Sequence, residues 1–463
     1  MNKNSFEYKF ILLLSCCFLL LQQINAQFIS PEHNYARNSP AVVMVQAVFS
    51  ATVYVNEVKI NERLFYKLVD SVKRLDTTGT ILSPGQKLDI VVKALYKSPF
   101  RFFSAGNNYF RQARRVHSTG TGFLISEDGY VVTNCHIIDR DSAFIRSKFV
   151  LETFQEVTRA NINSLQSSWA MTLTDQQRDL LYNAYGLIYS QVSSMILFDL
   201  KKEIFVLHRT DNGKGETTTA KQEVNLVLKG APMPGKDVAI LKMDNVKNLP
   251  MMVFSKDLLT RIGAQVFVLG YPEPATTNTF LAAEASIEPT LTSGIVSAVK
   301  RSVGGWPVIQ MDAMISHGSS GSPVCNDKGE VIGLATFGSF EQGSDVLASG
   351  FNFAIPVSVV KQFLDSASLN PGMGDATLFF NTGLSAFYQQ FYRKALEEFE
   401  KVEKLNSSFP QLHFYIEQCN QRIVRGADKQ SPPRQYVFWM MALIAFMTFG
   451  YIFYKIRKQK SLL

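Results

Sequence analysis

Cysteine is scarce in this 463-residue chain, and what there is does not pair. Cys16 and Cys17 fall in an apolar N-terminal run, which leaves Cys135, Cys325 and Cys419, an odd number without metal-ligand spacing. That pattern argues against a disulfide framework and against a structural zinc site. Net charge is also small where it matters. Of the formal +8, residues 1–26 carry +1 and residues 455–463 carry +4, so +3 remains for the rest. A surplus of that size gives no electrostatic footprint for nucleic acid. Glycosylation sequons are nearly absent, with Asn406-Ser407-Ser408 alone past residue 26, fewer than a eukaryotic secreted chain of this length often has, though a eukaryotic secretory home stays open. What is present is ordinary: 46% hydrophobic and 19% charged residues describe a globular chain of roughly two or three domains.

The two ends read as targeting and anchoring segments. Lys3 and Lys9 precede an apolar run at 10–21, and Ile24-Asn25-Ala26 ends in a small residue, so 1–26 is expected to be a signal peptide. Lipidation at Cys16 is the alternative, although the apolar run continues past it. Residues 436–454 contain no charge, long enough at ~1.5 Å per residue to cross a ~30 Å hydrocarbon core, the alternative being a buried helix. Lys455, Arg457, Lys458 and Lys460 follow directly and favour the cytoplasmic side, so 455–463 is expected to be a basic tail and the bulk of the chain to face outward.

Between these ends the pattern alternates. Residues 38–55 read as strand, whereas 56–115 read as an insertion that is first helical and then aromatic and basic. Residues 117–138 read as a hairpin turning at Glu127-Asp128-Gly129 and delivering Cys135-His136 at a strand end. A helical excursion at 143–198 opens its second part with a Thr174 to Gln177 capping box. Short apolar runs at 224–228, 238–243, 266–269, 294–299, 331–336 and 351–356, separated by turn residues, predict a sandwich or barrel. After Asn370-Pro371, helical spacing returns over 376–390, 392–405 and 411–423, before a linker at 426–435.

One constellation carries chemistry. Gly318-Ser319-Ser320-Gly321-Ser322-Pro323 is a tight turn whose glycines let backbone N–H groups converge, and Gly318 and Ser320 are the expected oxyanion donors. A serine hydroxyl is a weak nucleophile, so a base must take its proton, and His136 is the candidate. Asp237, at the head of an apolar strand, is the carboxylate suited to fix the tautomer of the imidazole. The chain order His, Asp, Ser excludes a nucleophile elbow, which needs a later histidine; only His413 follows, within a helical stretch. Cys135 and Cys325 flank this set and read as small buried hydrophobes rather than redox groups. His317 reads as a solvated loop residue.

The runs Gly120 to His136 (GTGFLISEDGYVVTNCH), Asp237 to Lys242 (DVAILK), Leu291 to Ser297 (LTSGIVS), Gln310 to Ala313 (QMDA), Gly318 to Pro323 (GSSGSP) and Phe353 to Pro356 (FAIP) resemble the HtrA/DegP-type trypsin-like serine proteases. The resemblance implies a mainly β, chymotrypsin-like double barrel over about 27–366 with helical insertions, and His136, Asp237 and Ser320 as a catalytic triad, without metal or cofactor. It places Met314 and Ile315 at the floor of the primary specificity pocket, where apolar residues would favour small or medium aliphatic side chains. It implies polypeptide substrates, a bacterial periplasmic setting beside the inner membrane, and leaves room for a homo-oligomer; the runner-up is a tethered scaffold that cleaves poorly. Departures stand at Ser319, usually Asn, at Ser322, usually Gly, and in the long His-to-Asp gap. Ser319 carries no charge to pair with a newly cut N-terminus, so a digestive-type zymogen switch is not expected. Where the family carries PDZ domains, 371–425 resembles one tetratricopeptide (TPR) repeat plus a helix, through Gly383 to Phe387 and Tyr392 to Phe399. Such a unit must pack on the protease, a second copy or a partner.

Overall fold

The structure, a computed structural model, describes residues 29–429 apart from 76–80, 170–171, 192–194, 214–215, 259, 277–279, 282–286, 341–346, and the side chains of 337–340 and 347–350; residues 446 and 448–451 are also described. The expected signal peptide at 1–26 and nearly all of the expected span at 436–454 lie outside the described residues. Among the described residues, no helix is long and apolar enough to cross a membrane.

Two six-stranded barrels, each closed on itself, form the centre. The first contains β1 (Val42–Ile60), β2 (Phe103–Leu124), β3 (Tyr130–Thr133), β4 (Met195–Asp211), β5 (Thr217–Lys229) and β6 (Ala239–Met243), in the order β1-β2-β3-β6-β5-β4. The second contains β7 (Gln265–Gly270), β8 (Thr290–Arg301), β9 (Pro307–Met311), β10 (Pro323–Cys325), β11 (Val331–Phe340) and β12 (Leu347–Pro356), in the order β10-β11-β12-β9-β8-β7. Period-two alternation sends one face of each strand inward, and Phe123, Ile137 and Ile240 of the first barrel meet Phe267, Leu334 and Ile355 of the second in one core. The β2–β3 turn closes at Gly129, whose φ of +96° suits glycine.

Nine helices of eight or more residues surround these barrels among the described residues: α1 (Pro31–Asn38), α2 (Glu62–Arg74), α3 (Pro84–Lys97), α4 (Ser142–Trp169), α5 (Asp175–Gln191), α6 (Val357–Ser366), α7 (Asp375–Tyr388), α8 (Tyr392–Leu405) and α9 (Leu412–Val424). Helices hold at least as many residues as strands, so the expectation of a mainly β chain is corrected. The reason lies in the two helical excursions, which build a layer of their own. Strands β1 and β2 do not stop where the insertion was expected at 56–115; they stay paired to Ile60 and Phe103, and β4 joins them from Met195 opposite Val55. This ribbon buries Ala47, Phe49, Ala51, Val53 and Val55 against Val92, Leu95, Phe149, Leu181 and Ile188 of α3, α4 and α5. At ~1.5–3 kcal/mol for each large apolar side chain, this second core gives the layer its own stabilisation. Capping boxes start α3, at Ser83 and Gln86, and α5, at Thr174 and Gln177.

Helices α7, α8 and α9 share a third core around Phe380, Phe399 and Phe409, with Ala36 of α1 packed into it. Gly383 is needed where α7 meets α8, since a Cβ there would sit 2.6 Å from the Phe399 ring. The three helices dock on the first barrel. Asp211 N–H donates to Ser408 O at 3.0 Å, Asn248 and Asn406 exchange side-chain bonds with Leu405 O and Asn248 O, and Met251 N–H donates to Thr377 Oγ1.

Candidate active site

Strand β3 ends at Thr133, and the next residues form a single helical turn, Cys135–Ile138, held down by the buried Cys135, Ile137 and Ile138. His136 is left as its partly exposed member. Asp237 lies just ahead of β6 and is 0% exposed. Its Oδ1 accepts from the His136 backbone N–H at 2.8 Å, and its Oδ2 lies 2.5 Å from His136 Nδ1. Thr336 Oγ1 donates to the same Oδ2 at 2.9 Å, and Asn134 Nδ2 donates to the Asp237 backbone oxygen at 2.7 Å. Each carboxylate oxygen of buried Asp237 thus has at least one donor, as a buried acidic side chain requires.

The Ser320 turn links β9 to β10. Gly318 and Gly321 have φ of +88° and +86°; a Cβ on Gly318 would come 2.3 Å from Tyr271 O, and one on Gly321 would come 1.9 Å from Thr121 O. Only glycine fits both places. The N–H groups of Ser319, Gly321 and Ser322 are taken by Ser316 O, Ala335 O and Ser319 O, whereas those of Gly318 and Ser320 have no acceptor among the described residues. Two free N–H groups beside a serine can stabilise an oxyanion. The Ser320 hydroxyl, however, donates to Thr336 O at 2.9 Å rather than to the imidazole.

The expected residues do not all fall together. His136 and Asp237 are in contact, and Ser320 is joined to them through Thr336, whose hydroxyl binds Asp237 while its carbonyl binds Ser320. Met314 is 71% exposed and lines a cavity of about 240 Å³ with Val268, Gly270, Pro272, Ser316 and Ser319. That cavity touches Ser319 but neither Ser320 nor His136. Ile315 is 8% exposed and packs with Val268 and Val324 in the second barrel. The expectation that Met314 and Ile315 together floor a pocket is therefore corrected, because the chain alternates here and sends Ala313 and Ile315 inward.

Burial pushes the Cys135 thiol up to about 11, helped by the charge of Asp237, and pushes Cys325 up to about 12. Both are free and buried. His317 is exposed, and its backbone oxygen accepts from Glu273 N–H at 2.6 Å. Among the described residues, no cluster of three or more His, Cys, Asp or Glu is placed to hold a metal ion. Four residues that bind the site were missed by reading the sequence: Thr121, Thr133, Asn134 and Thr336. All four lie inside motif runs already quoted or the apolar run at 331–336, but their partners are 12 to 197 positions away.

Residues 120–334 match the family described as the trypsin-like peptidase domain. A probable periplasmic serine endoprotease, DegP-like, of Rhizobium meliloti is 28% identical over 255 residues, covering 54% of this chain and 34% of that protein. Serine protease HTR4 of Bos taurus is 26% identical over 256 residues, covering 53% and 34%. The chain thus spans about a third of the length of these relatives. Among solved structures, the HtrA-type protease AlgW with a decapeptide has a TM-score of 0.37 at 18% identity, covering 73% of this chain and 68% of that one.

Proposed function

We propose that this chain, whose residues 120–334 belong to the trypsin-like peptidase domain family, is a serine endopeptidase acting through Ser320, His136 and Asp237. The observation that carries the reading is the grip of buried Asp237 on both the backbone N–H and the ring Nδ1 of His136. That grip turns Nε2 of the imidazole outward, as a general base requires. In the reaction, the Ser320 hydroxyl leaves Thr336 O, gives its proton to His136 and attacks the substrate carbonyl. The resulting oxyanion takes hydrogen bonds from the N–H groups of Gly318 and Ser320, each typically worth ~3 kcal/mol to the transition state. His136 then returns the proton to the leaving amine, and Asp237 stabilises the imidazolium throughout. The chemistry draws on side chains and backbone alone.

The setting belongs to the same proposal. The DegP-like relatives are named as periplasmic, and the apolar stretch 436–454 followed by cations supports a single anchor that leaves the protease extracytoplasmic, with extracytoplasmic polypeptides as substrates. The helices of 371–425, read as TPR-like, hold the protease at a distance from that anchor and offer a surface for a protein partner. A preference for small or medium aliphatic side chains rests on the apolar Met314. The second reading, a tethered scaffold that cleaves poorly, is favoured by one observation, the Ser320 hydroxyl turned to Thr336 O. A fluorophosphonate probe separates the two. Labelling of the full chain that disappears in Ser320→Ala is the expected result, and an unlabelled wild type would leave the scaffold reading standing.

A further inference from the structure

Thr121 lies near the C-terminal end of β2, fully buried where the two barrels meet. Every polar group it owns is spent on the nucleophile turn or on what holds that turn. Its N–H donates to Ser320 O at 2.8 Å, and its backbone oxygen accepts from Thr133 Oγ1 at 2.7 Å. Its hydroxyl donates to Gly318 O at 2.8 Å and accepts from Tyr271 N–H at 2.9 Å. A hydroxyl has one proton to give, and both of its roles are thus fixed by neighbours that are backbone and cannot rotate away.

The consequence reaches the oxyanion donor. Two peptide planes flank the Gly318 Cα. The one after it is fixed through its oxygen by Thr121 Oγ1, and the one before it, which carries the Gly318 N–H, is fixed through His317 O by Glu273 N–H at 2.6 Å. Both clamps start from one segment, 271–273, directly after β7. Gly318 itself supplies little restraint at a φ of +88° without a Cβ, so with the Thr121 clamp lost the plane after it is held only by the Ser319 N–H bond to Ser316 O among the described residues. We propose that Thr121 is a positioning residue for peptide hydrolysis: its hydroxyl bridges Tyr271 N–H to Gly318 O and so keeps the Gly318 N–H aimed at the oxyanion. This rests on the peptidase reading above.

Thr121→Val keeps the shape and removes the bridge, leaving Gly318 O and Tyr271 N–H unpaired. Losing a whole oxyanion donor lowers kcat by ~10²–10³, so a misaimed one is expected to lower kcat on unfolded casein by roughly 10- to 100-fold with KM within about threefold. Binding of a peptide boronate, whose tetrahedral adduct uses the same N–H groups, should weaken in parallel. Thr121→Ser retains the hydroxyl and should stay within about threefold of wild type in kcat. Thr121→Ala makes the same deletion with a smaller side chain, should the valine methyl prevent folding. The inference is overturned if the folded Val or Ala variant keeps wild-type kcat and boronate affinity, or if Ser loses as much as Val. A wild type that neither cleaves casein nor reacts with the fluorophosphonate would instead sink the peptidase reading, and the two failures are thereby distinct.

Discussion

Replacing Asp237 by Asn tests the reading of the site most directly, because the geometry dictates which way the amide must sit. Three donors converge on the carboxylate: the His136 backbone N–H at Oδ1, and His136 Nδ1 and the Thr336 hydroxyl at Oδ2. An amide offers one accepting and one donating end. With its nitrogen at the Oδ1 place it would face the His136 N–H at about 2.8 Å, donor against donor, and a backbone group cannot turn away. With its nitrogen at the Oδ2 place, the Thr336 hydroxyl can reverse its sense and the imidazole can change tautomer. The second arrangement wins, and it puts the ring proton on Nε2, where it can no longer accept from Ser320. The same change in serine proteases costs ~10⁴ in kcat, about 5 kcal/mol of barrier. Stability should change by no more than ~1 kcal/mol, since each polar group keeps a partner.

The assay is the second-order rate of fluorophosphonate labelling of Ser320, backed by hydrolysis of unfolded casein, with thermal melting to show that the variant is folded. A folded Asp237→Asn protein within tenfold of the wild-type rate in both assays would refute the tautomer argument. Asp237 would then be a structural clamp for the turn Cys135–Ile138 and no more.

Other outcomes are expected. Ser322 Oγ is buried without a partner among the described protein atoms, so Ser322→Ala should raise Tm by up to about 2 °C, read by calorimetry; a drop of several degrees would show that the hydroxyl is bonded. Iodoacetamide at pH 8 should leave native Cys135, Cys325 and Cys419 unmodified by peptide mass spectrometry, because burial pushes them to about 11, about 12 and about 12, while the unfolded chain reacts at all three. His33, buried and stacked on Tyr388 at 4.5 Å, is lowered to about 4 by burial and by Arg37. Between pH 6.5 and about 4 the unfolded chain then holds a proton that the folded chain does not, so stability falls as pH falls, by about 3 kcal/mol at most. Urea midpoints at pH 7 and pH 4.5 should differ less in His33→Phe than in wild type; equal differences would remove His33 as the cause.

Parts of this structure could be read from the chain and parts could not, and the division is physical. Runs such as 238–243 and 266–269 overlap strands β6 and β7 because short apolar, β-branched runs between turn residues are a local property. The helix Tyr392–Leu405 begins and ends where its spacing does. The ribbon was hidden because 103–118 carries arginine and polar residues on its solvent side, and its pairing with β1, from Ile60 opposite Phe103 to Ala47 opposite Ser118, joins residues far apart in sequence. The runs that carry His136, Asp237 and Ser320 stand out through motif and order, and the structure brings His136 and Asp237 into contact. Thr121 and Thr336 were not legible, since a threonine in a strand is unremarkable until its hydroxyl is seen bridging two backbone groups, as at Thr121, or donating to the Asp237 carboxylate, as at Thr336. Ile315 was misjudged because proximity in sequence to the nucleophile says nothing of which way a side chain faces.

Of the departures from the HtrA/DegP-type pattern, Ser319 and Ser322 stand closest in sequence to the nucleophile, yet neither hydroxyl contacts His136 or Asp237. Ser319 Oγ accepts from Ser316 N–H at 3.2 Å, closing the turn from behind. Ser322 Oγ lies over Gly270, where a Cβ would come within 2.0 Å of it, so the added hydroxyl is accommodated by the missing side chain across from it. Neither touches His136, Asp237 or the free N–H groups of Gly318 and Ser320. On the peptidase reading, reaction requires the Ser320 hydroxyl to leave Thr336 O for the imidazole. Staggered rotamers differ by amounts on the order of 1 kcal/mol, and a neutral hydrogen bond exchanged for one to His136 adds a similar amount in return. Against a catalytic barrier lowered by many kcal/mol, a cost of that size does not by itself favour the scaffold reading over the peptidase one.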